Sequence, residues 1–573
     1  MNPLRTHAAR RWILPAWCAV LTLAIMGPLV RPGFVLSYDM VTVPDQRLVP
    51  EALGLGSGPP RAVPQDAVLA VLTSIVPGGV VYRLALIGLI FGAAWGAGRL
   101  VYRAGLAAQL VAASAYAWNA YVAERLVIGH WTVLIAYAVL PWLLRAALAA
   151  RRREPGAVAR TLLLVALASL TPTGGVLATP LAIALVPGRA RFGVLAGAVA
   201  LQLPWLLPAV LSPTAMVSDP AAAEAFAARS DSPLGLVGSV LTLGGIWNAD
   251  VVPDSRALAS ATVLTVAWVS LGVLGARRLP AVMGRAGALV LAGLAAAGVG
   301  LAVSGVFGGV LQWAVAHVPG AGLLRDGHKF LAWYALALAP AAALGAARLA
   351  DSVAARGTRL VSAGALTAAL ALLPVLALPD LAWGVWGRVV PVEYPASWPQ
   401  ARDLLRANDG TGALVVLPYQ PFRAYPWNDN RTALDPLPRY SGIEAIRPDA
   451  LTVSGRRLAG EDPRAAAVER ALMANDPIGE LLAAGAGWVA VQRDTPGDVD
   501  PDLLAQLAPV LETGILDLYR IPGVPVEWTR RPPAGPVIAA DIGVVLLIVG
   551  LGARVVVRTR RDKLYKPGTV RAT

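Results

Sequence analysis

Apolar runs recur along almost the whole chain, and they constrain its fold more than any other feature. Of the 573 residues, 56% are hydrophobic and only 15% are charged, whereas a soluble domain carries about 25% charged residues. A helix that crosses a bilayer needs about 20 consecutive apolar residues. The sequence therefore predicts an α-helical polytopic membrane protein.

About twelve of these runs are candidate spans. They lie at 13–30, 79–98, 104–122, 129–150, 159–171, 174–187, 193–212, 258–275, 286–306, 329–348, 360–379 and 536–556. Proline and glycine at 171–175 interrupt one long run and predict a helical hairpin there.

Arginine follows every second predicted span and sets the orientation. The basic segments are 98–103, 145–160, 188–191, 277–285, 348–359 and the tail from 554. Positive charge collects on the cytoplasmic side, so both termini are predicted to be cytoplasmic. This distribution accounts for the net charge of +14. No basic patch is interleaved with aromatic residues, so nucleic acid is not expected as a partner. Two compensating errors in the span count would keep the alternation, so ten or fourteen spans stay open.

The orientation divides the chain into three predicted parts. These are a multi-span transmembrane domain at 1–379 with a large first outer loop at 31–78, an extracytoplasmic domain at 380–535, and a final span with a basic cytoplasmic tail at 536–573. Short helices lying along the outer interface are predicted at 65–77 and 307–317. The single cysteine, Cys18, excludes an intrachain disulfide.

Helix and strand patterns alternate in the 380–535 domain, which predicts a small α/β layer. The predicted helices are 397–408, capped by Ser397, then 477–484 and 501–512, and the predicted strands are 412–418, 488–492 and 515–521. Residues 419–463 have no clear period and are interpreted as an ordered loop region.

Asp39 is the first acid after the first span and the leading catalytic candidate. The approach through Phe34–Tyr38 is apolar and aromatic, so Asp39 is expected near the membrane surface. Partial desolvation would raise the pKa of its carboxyl and suit it to a base role. It could also hold a divalent cation with Asp45 or Asp66. The plain alternative is a solvated loop acid.

Two further charged stretches are predicted on the same outer side. Glu124, Arg125 and His130 lie between apolar runs, where such groups are costly and are functional candidates by default. They could line a site, or Glu124 and Arg125 could form a structural pair that locks helix ends. No zinc motif, phosphate-binding loop or Gly-x-Ser-x-Gly element is present in the sequence.

The second stretch, 325–330, is basic on a side where positive charge is disfavoured. Arg325, His328 and Lys329 could bind an anionic ligand such as a lipid phosphate, since arginine binds phosphate bidentately and lysine supplies a point charge. Contact with bulk anionic headgroups, or a salt bridge from Asp326, would explain them equally.

This layout resembles the GT-C superfamily of polytopic glycosyltransferases, which includes lipid-linked mannosyl- and arabinosyltransferases. The resemblance rests on the number of spans, the acid in a large first outer loop, the interfacial helix in that loop and the C-terminal outer domain. It implies a polyprenyl-phosphate sugar donor and an envelope glycan, lipid or protein acceptor. Asp39 would act as base or metal partner, and Arg325 and Lys329 would hold the donor phosphate.

One departure from that pattern concerns the acid itself. Many members have an acidic pair, whereas here the acid stands as Tyr38-Asp39-Met40. The residues 129–131 and 141–142, together with 325–329, also resemble YfhO-type membrane proteins. Non-catalytic roles in transport, lipid flipping or envelope assembly stay open. A transporter should show broken helices in matching halves, and the sequence shows one break, at 171–175.

Overall fold

Long apolar helices dominate the computed structural model, which describes residues 3–213, 217–355 and 363–564. Eight helices in these ranges are long and apolar enough to cross a membrane. A ninth results if the pair Gly364–Ala377 and Pro379–Gly387, bent by 77°, is one span. The chain is therefore a membrane-embedded, mainly helical protein. The basic residues 356–359, the start of the predicted span at 360–379 and the tail 565–573 lie outside the described ranges.

The helices are numbered in chain order. They are α1 (Pro3–Met26), α2 (Gln65–Thr73), α3 (Gly78–Leu100), α4 (Leu106–Ala117), α5 (Ala120–Val127), α6 (Trp131–Arg151), α7 (Ala157–Ala168), α8 (Pro172–Leu185), α9 (Arg189–Leu211), α10 (Ala221–Ala225), α11 (Gly235–Leu241), α12 (Ala259–Ala276), α13 (Leu279–Ser304), α14 (Gly309–His317), α15 (Leu331–Ala355), α16 (Ala363–Ala377), α17 (Ala382–Gly387), α18 (Ser397–Ala407), α19 (Leu437–Ser441), α20 (Pro463–Ala471), α21 (Pro477–Ala483), α22 (Pro501–Ala505) and α23 (Ala534–Leu564).

The strands are numbered in the same way. They are β1 (Phe34–Ser37), β2 (Met40–Val41), β3 (Pro391–Val392), β4 (Ala413–Leu417), β5 (Phe422–Ala424), β6 (Thr432–Leu434), β7 (Ala445–Ile446), β8 (Leu451–Val453), β9 (Arg456–Leu458), β10 (Ala486–Gln492), β11 (Ala508–Leu511) and β12 (Leu516–Arg520).

Three predicted spans correspond to helices that are too short to cross a bilayer. The runs at 104–122, 159–171 and 174–187 contain α4, α7 and α8, which have 12, 12 and 14 residues, whereas a span needs about 20. The run at 104–122 breaks because Asn119 is extended and its side chain caps α5, accepting a hydrogen bond from Val122 N at 3.1 Å. This break matters, because α5 carries two of the candidate site residues.

A five-stranded sheet organises the C-terminal region, with strand order β11-β12-β10-β4-β7. Its centre is parallel, since β10 pairs with β4 and β4 with β7 in that sense. Leu414 and Val416 of β4 pack on the side of α18, and Val415 packs on the side of α20 and α21. Alternate residues of a strand face opposite sides of the sheet, so this buried strand packs against helices on both faces.

Parts of the predicted C-terminal pattern are wrong. The helix predicted at 501–512 ends at Ala505, and 508–511 form β11, an edge strand where Pro509 is tolerated. Ser397 is the first residue of α18 rather than its cap, and its hydroxyl has no hydrogen-bond partner. Residues 419–463 contain five short strands, β5 to β9, so they are more regular than an ordered loop.

The first loop is built into the C-terminal region. β1 pairs with both β2 and β3, although β3 lies more than 300 positions after β1 in sequence. Leu36, Val41 and Val43 are buried in the same core cluster as Trp398 of α18. Strand pairing and apolar burial therefore fix the loop that carries Asp39.

Candidate active site around Asp39

The backbone beside Asp39 is held from two sides. On one side Tyr38 N donates to Thr432 O at 2.7 Å, and Leu434 N of β6 donates to Tyr38 O at 2.8 Å. On the other side Asp39 N donates to Ile128 O at 3.2 Å. Tyr38 has a φ of +45°, a left-handed conformation that costs a non-glycine residue about 1–3 kcal/mol and is kept only where the surroundings enforce it.

Gly129 allows the turn between α5 and α6 to pass directly against this loop. Its φ is +81°, and a Cβ atom there would lie 2.1 Å from Met40 N and 2.6 Å from Asp39 N. A side chain at this position would therefore push the Asp39 loop away. The close approach brings the next residue, His130, into contact with the Asp39 side chain.

His130 donates a hydrogen bond to Asp39. The distance from His130 Nε2 to Asp39 Oδ2 is 3.1 Å, and the Asp39 side chain is 47% exposed while that of His130 is 15% exposed. On the other side of the ring, Arg125 Nη1 lies 2.6 Å from His130 Nδ1. Arginine has only donors, so Nδ1 must accept and the imidazole proton must be on Nε2. Asp39 therefore faces solvent with a neutral imidazole donor behind it.

Arg125 is the centre of a buried network beneath this pair. Its side chain has no exposed surface, and it forms a two-pronged ion pair with Asp326, with N–O distances of 2.7 and 3.0 Å. Its Nη2 also lies 2.7 Å from His328 Nδ1. By the same reasoning the proton of His328 is on Nε2, which lies 3.1 Å from Gly244 O and 3.3 Å from Glu124 Oε2.

All the sequence candidates except Arg325 thus meet in one place, but at different depths. Asp39 and His130 reach the surface of the site, and Lys329 is 21% exposed. Glu124 and Arg125, which the sequence placed on the cavity lining, are fully buried behind it. His328 is also buried.

Electrostatics at Asp39 oppose the sequence expectation of a raised pKa. Desolvation by the surrounding protein raises the pKa of this carboxyl, but the His130 hydrogen bond and the charges of Lys329 and Arg439 outweigh it, so the pKa lies below its ordinary value. Burial holds the pKa of His130 below its ordinary value. Burial and the neighbouring Asp231 raise the pKa of Glu124 well above its ordinary value.

Cationic side chains surround Asp39. The Lys329 Nζ has one loose ion pair, 3.7 Å from Asp326 Oδ2. Arg439 of α19 lies within electrostatic range of Asp39, and its Nη2 contacts both carboxylate oxygens of Asp66 at 3.2 and 3.3 Å. Sequence reasoning did not place Arg439 beside Asp39, because this arginine comes from a part of the chain with no clear period and is brought here only by the tertiary fold.

Arg325 lies in a second charged group, here called the Glu461 bridge. Glu461 Oε1 is 2.7 Å from Arg325 Nη1, and Glu461 Oε2 is 2.9 Å from Arg61 Nη2. The Ser218 hydroxyl donates to the same carboxylate at 2.7 Å. Arg325, which the sequence assigned to a phosphate, is therefore already paired with a carboxylate.

The groups around Asp39 do not fit a divalent cation. Hard cations take several oxygen ligands, whereas the neighbours of Asp39 are an N–H donor and positive charges. Asp45 is bound by Arg402 and Arg406, and Asp66 by Arg439, so neither suggested co-ligand faces Asp39. Within the described ranges no group of three or more metal-ligating side chains occurs.

Comparison with solved structures gives matches over most of the chain. No protein-family model and no curated protein matches it. The arabinofuranosyltransferase AftD from Mycobacteria is similar in structure, with 18% identity and a TM-score of 0.53 over 90% of this chain and 40% of that one. A mutant of AftD gives 17% identity and a TM-score of 0.54, over 90% and 42%.

This chain spans about two fifths of the length of those enzymes. At such low identity the similarity concerns the fold. The chain therefore has the GT-C-like membrane fold that it shares with AftD.

Proposed function

We propose that the chain is a membrane glycosyltransferase that moves a sugar of the mannose or arabinose class from a polyprenyl-phosphate donor to an extracytoplasmic envelope acceptor. The observation that carries the proposal is the Asp39 carboxylate, exposed in front of a buried network and surrounded by cations. The GT-C-like fold shared with an arabinofuranosyltransferase supports the same reaction class.

In this reaction Asp39 acts as the general base. The acceptor hydroxyl oxygen attacks the anomeric carbon, and its proton passes to the Asp39 carboxylate. The bond between that carbon and the donor phosphate oxygen breaks, and polyprenyl phosphate leaves with the electron pair. A single displacement of this kind inverts the anomeric configuration.

Lys329 is the residue best suited to hold the donor phosphate. Its only ion pair within the described residues is the 3.7 Å contact with Asp326, so its ammonium group can turn toward a second anion. Arg439 adds positive charge from the C-terminal region. Fixed cations near a leaving phosphate stabilise the charge that develops as the bond breaks. Arg325 contributes to the local field but is held by Glu461.

The lowered pKa of Asp39 needs an explanation, because a weak base removes a proton poorly. Lys329 is one of the groups that lower it. A phosphate bound to Lys329 would neutralise that charge and add a negative one, and both effects raise the pKa of Asp39. Donor binding would therefore strengthen the base at the step where it is needed.

A transfer assay with the purified protein in lipid nanodiscs tests this proposal. The donors are synthetic polyprenyl-phosphate mannose and polyprenyl-phosphate arabinose, and the acceptor is a labelled alkyl glycoside. Asp39→Asn should lower transfer at least about a hundredfold, since a general base contributes about 10²–10⁴. Asp45→Asn, in the same loop but bound by Arg402 and Arg406, should transfer at nearly the wild-type rate.

Wild-type rates in Asp39→Asn would remove Asp39 from the mechanism. Wild-type protein that binds either donor without transferring its sugar would instead favour the non-catalytic alternative, a lipid-binding subunit of envelope assembly or transport.

A further inference from the structure

Arg125 makes more side-chain contacts than a simple structural ion pair requires. One buried guanidinium contacts the ring nitrogen of two different histidines and both oxygens of one aspartate. We propose that Arg125 is a positioning residue that fixes His130 and His328 in the tautomer with the proton on Nε2, so that His130 always presents a donor to Asp39. The link to catalysis rests on the proposed function, whereas the tautomer itself does not.

Asp326 makes this arrangement rigid. Its two oxygens hold the guanidinium by bonds of 2.7 and 3.0 Å, one to each terminal nitrogen. The paired contact fixes the plane of the group, and the same nitrogens point at the histidines at 2.6 and 2.7 Å. Each terminal nitrogen therefore serves one aspartate oxygen and one imidazole.

The opposite tautomer of His130 is strongly disfavoured here. A proton on Nδ1 would face the N–H groups of Arg125 at 2.6 Å, so two donors would oppose each other. Nε2 would then be an acceptor facing the Asp39 carboxylate, 3.1 Å away. Both contacts would become repulsive, whereas with the proton on Nε2 both are hydrogen bonds.

Arg125 also opposes a second proton on His130. Protonation would need Nδ1 to become a donor, which the arginine prevents. The charged groups that face His130 or its arginine come from the first loop, α5 and the segment before α15. Counting titratable groups that are neutral as well as charged ones, they are Asp39, Tyr121, Glu124, Arg125, Asp326, His328 and Lys329. Arg125 and Lys329 disfavour the imidazolium, and the exposed Asp39 is the acid in direct contact with the ring.

The same guanidinium reaches the loop before α12 through His328. The proton on Nε2 of His328 is directed to Gly244 O at 3.1 Å, between α11 and α12. Tyr121 stacks on the His328 ring, with centroids 5.5 Å apart, and its hydroxyl donates to Lys329 O at 2.8 Å. One side chain thus sets the hydrogen-bonding direction of two histidine rings.

Nitrogen NMR of the full-length protein measures the tautomer directly. The chain has only four histidines, so ¹⁵N-histidine labelling gives few signals, and His130→Gln assigns the one in question. The expected spectrum shows a neutral His130 with its proton on Nε2 throughout pH 5.5–8. A wild-type His130 signal with the proton on Nδ1, or with a protonated ring in this range, would overturn the proposal even if Arg125→Lys did not fold.

Arg125→Lys supplies the perturbation, and Arg256→Lys is its matched control. Arg256 is also buried and ion-paired, at 2.6 Å to Asp231, but it contacts neither His130 nor His328. In Arg125→Lys we expect His130 to titrate within pH 5.5–8 or to populate both tautomers. Arg256→Lys should keep the wild-type signal. Identical His130 signals in the two variants would refute the role of Arg125.

The pH profile of transfer tests the link to Asp39. Arg125→Lys should gain an inflection between pH 5 and 7, with a loss of about threefold on the acid side, because an imidazolium beside Asp39 weakens the base. In His130→Gln the amide supplies the donor without a tautomer, so Arg125→Lys added to His130→Gln should leave no inflection. Absence of the inflection in Arg125→Lys, with the NMR effect present, would separate the tautomer from catalysis.

Discussion

The Asp39 site and the Glu461 bridge are built from the same kinds of residues, but they differ in how fully their charges are paired. In the bridge, Glu461 accepts from Arg61, Arg325 and Ser218, at 2.9, 2.7 and 2.7 Å. At the Asp39 site, the carboxylate has a neutral imidazole as its direct partner, and the nearby Lys329 is 3.7 Å from its own acid.

We expect this difference in pairing to separate a catalytic carboxylate from a structural one. A carboxylate that is fully satisfied by two guanidinium groups stabilises the fold and has nothing left for a substrate. A carboxylate with one neutral donor and an open face keeps lone pairs for an incoming proton. We therefore expect Arg325 and Lys329 to have different roles, although they are neighbours in sequence.

Among the cationic residues, the largest expected effect comes from Lys329. Lys329→Met should lower kcat/KM for transfer about a hundredfold, as removal of one donor to a developing anion does. Methionine nearly matches the length and packing of the lysine side chain, so the folded variant should accumulate normally. The measurement is the nanodisc transfer assay with polyprenyl-phosphate donor.

Arg325→Met is the matched control for that change. It removes a cation four residues away that belongs to the Glu461 bridge. We expect less than about a fivefold loss of activity, together with a lower thermal stability, because the side chains of Arg325 and Glu461 are both mostly buried and Glu461 would keep only one of its two arginine partners. Equal losses of activity in the two variants would contradict the division of roles.

Arg439 is intermediate between the two groups. One of its terminal nitrogens is held by Asp66, yet its charge acts on Asp39. Arg439→Met should lower kcat/KM about tenfold, because its electrostatic contribution is made without direct contact. Asp66→Asn, measured in parallel, weakens the hold on Arg439 and should change activity less. A hundredfold loss in Arg439→Met would instead place this arginine on the phosphate itself.

The sequence predicted more of the Asp39 site than of its surroundings. Arginine in alternate loops placed 31–78, 119–130 and 307–328 on one side of the membrane, and the structure brings Asp39, His130 and Lys329 together. Local patterns were enough because each of these residues lies next to an apolar run. In the network His130 lies between Asp39 and Arg125, and no local sequence pattern predicts this order.

The sequence could not predict the long-range ion pairs, for a physical reason. Arg325 pairs with Glu461, which lies 136 residues away in sequence. Arg439 pairs with Asp66, which lies 373 residues away. Nothing in the periodicity of either segment specifies its partner. The break at Asn119 did have a local signal, since asparagine before a helical run is a preferred cap, but the apolar residues on both sides favoured one continuous span.

A smaller effect is expected in the pH dependence of transfer. In the proposed mechanism Asp39 must be ionised to act as the base, so activity should be present above its pKa and be lost as pH falls through it. Because Lys329 lowers this pKa, Lys329→Met should move the acid limb of kcat/KM to higher pH, by about one unit. Arg325→Met should leave the limb in place. A limb that moves to lower pH in Lys329→Met would show that a different group titrates.

The smallest effect concerns the stability of the Glu461 bridge. Burial raises the pKa of Glu461, but Arg61 and Arg325 outweigh it and lower the pKa to about 2. A depressed carboxyl stabilises the fold fully above its unfolded pKa, about 4.3, and this stabilisation is lost as pH falls from there toward 2. Glu461→Gln should therefore unfold about 2 °C below wild type at pH 7.

The temperature difference between wild type and Glu461→Gln should shrink as the pH of the melting experiment falls from 5 toward 3. Transfer activity of Glu461→Gln at pH 7 should stay within about threefold of wild type, because the variant removes no group that contacts Asp39. A difference that is constant with pH would mean that the bridge is not an ionised pair. A large loss of activity with normal stability would show that Glu461 takes part in the function of the Asp39 site, and would contradict a purely structural role for the bridge.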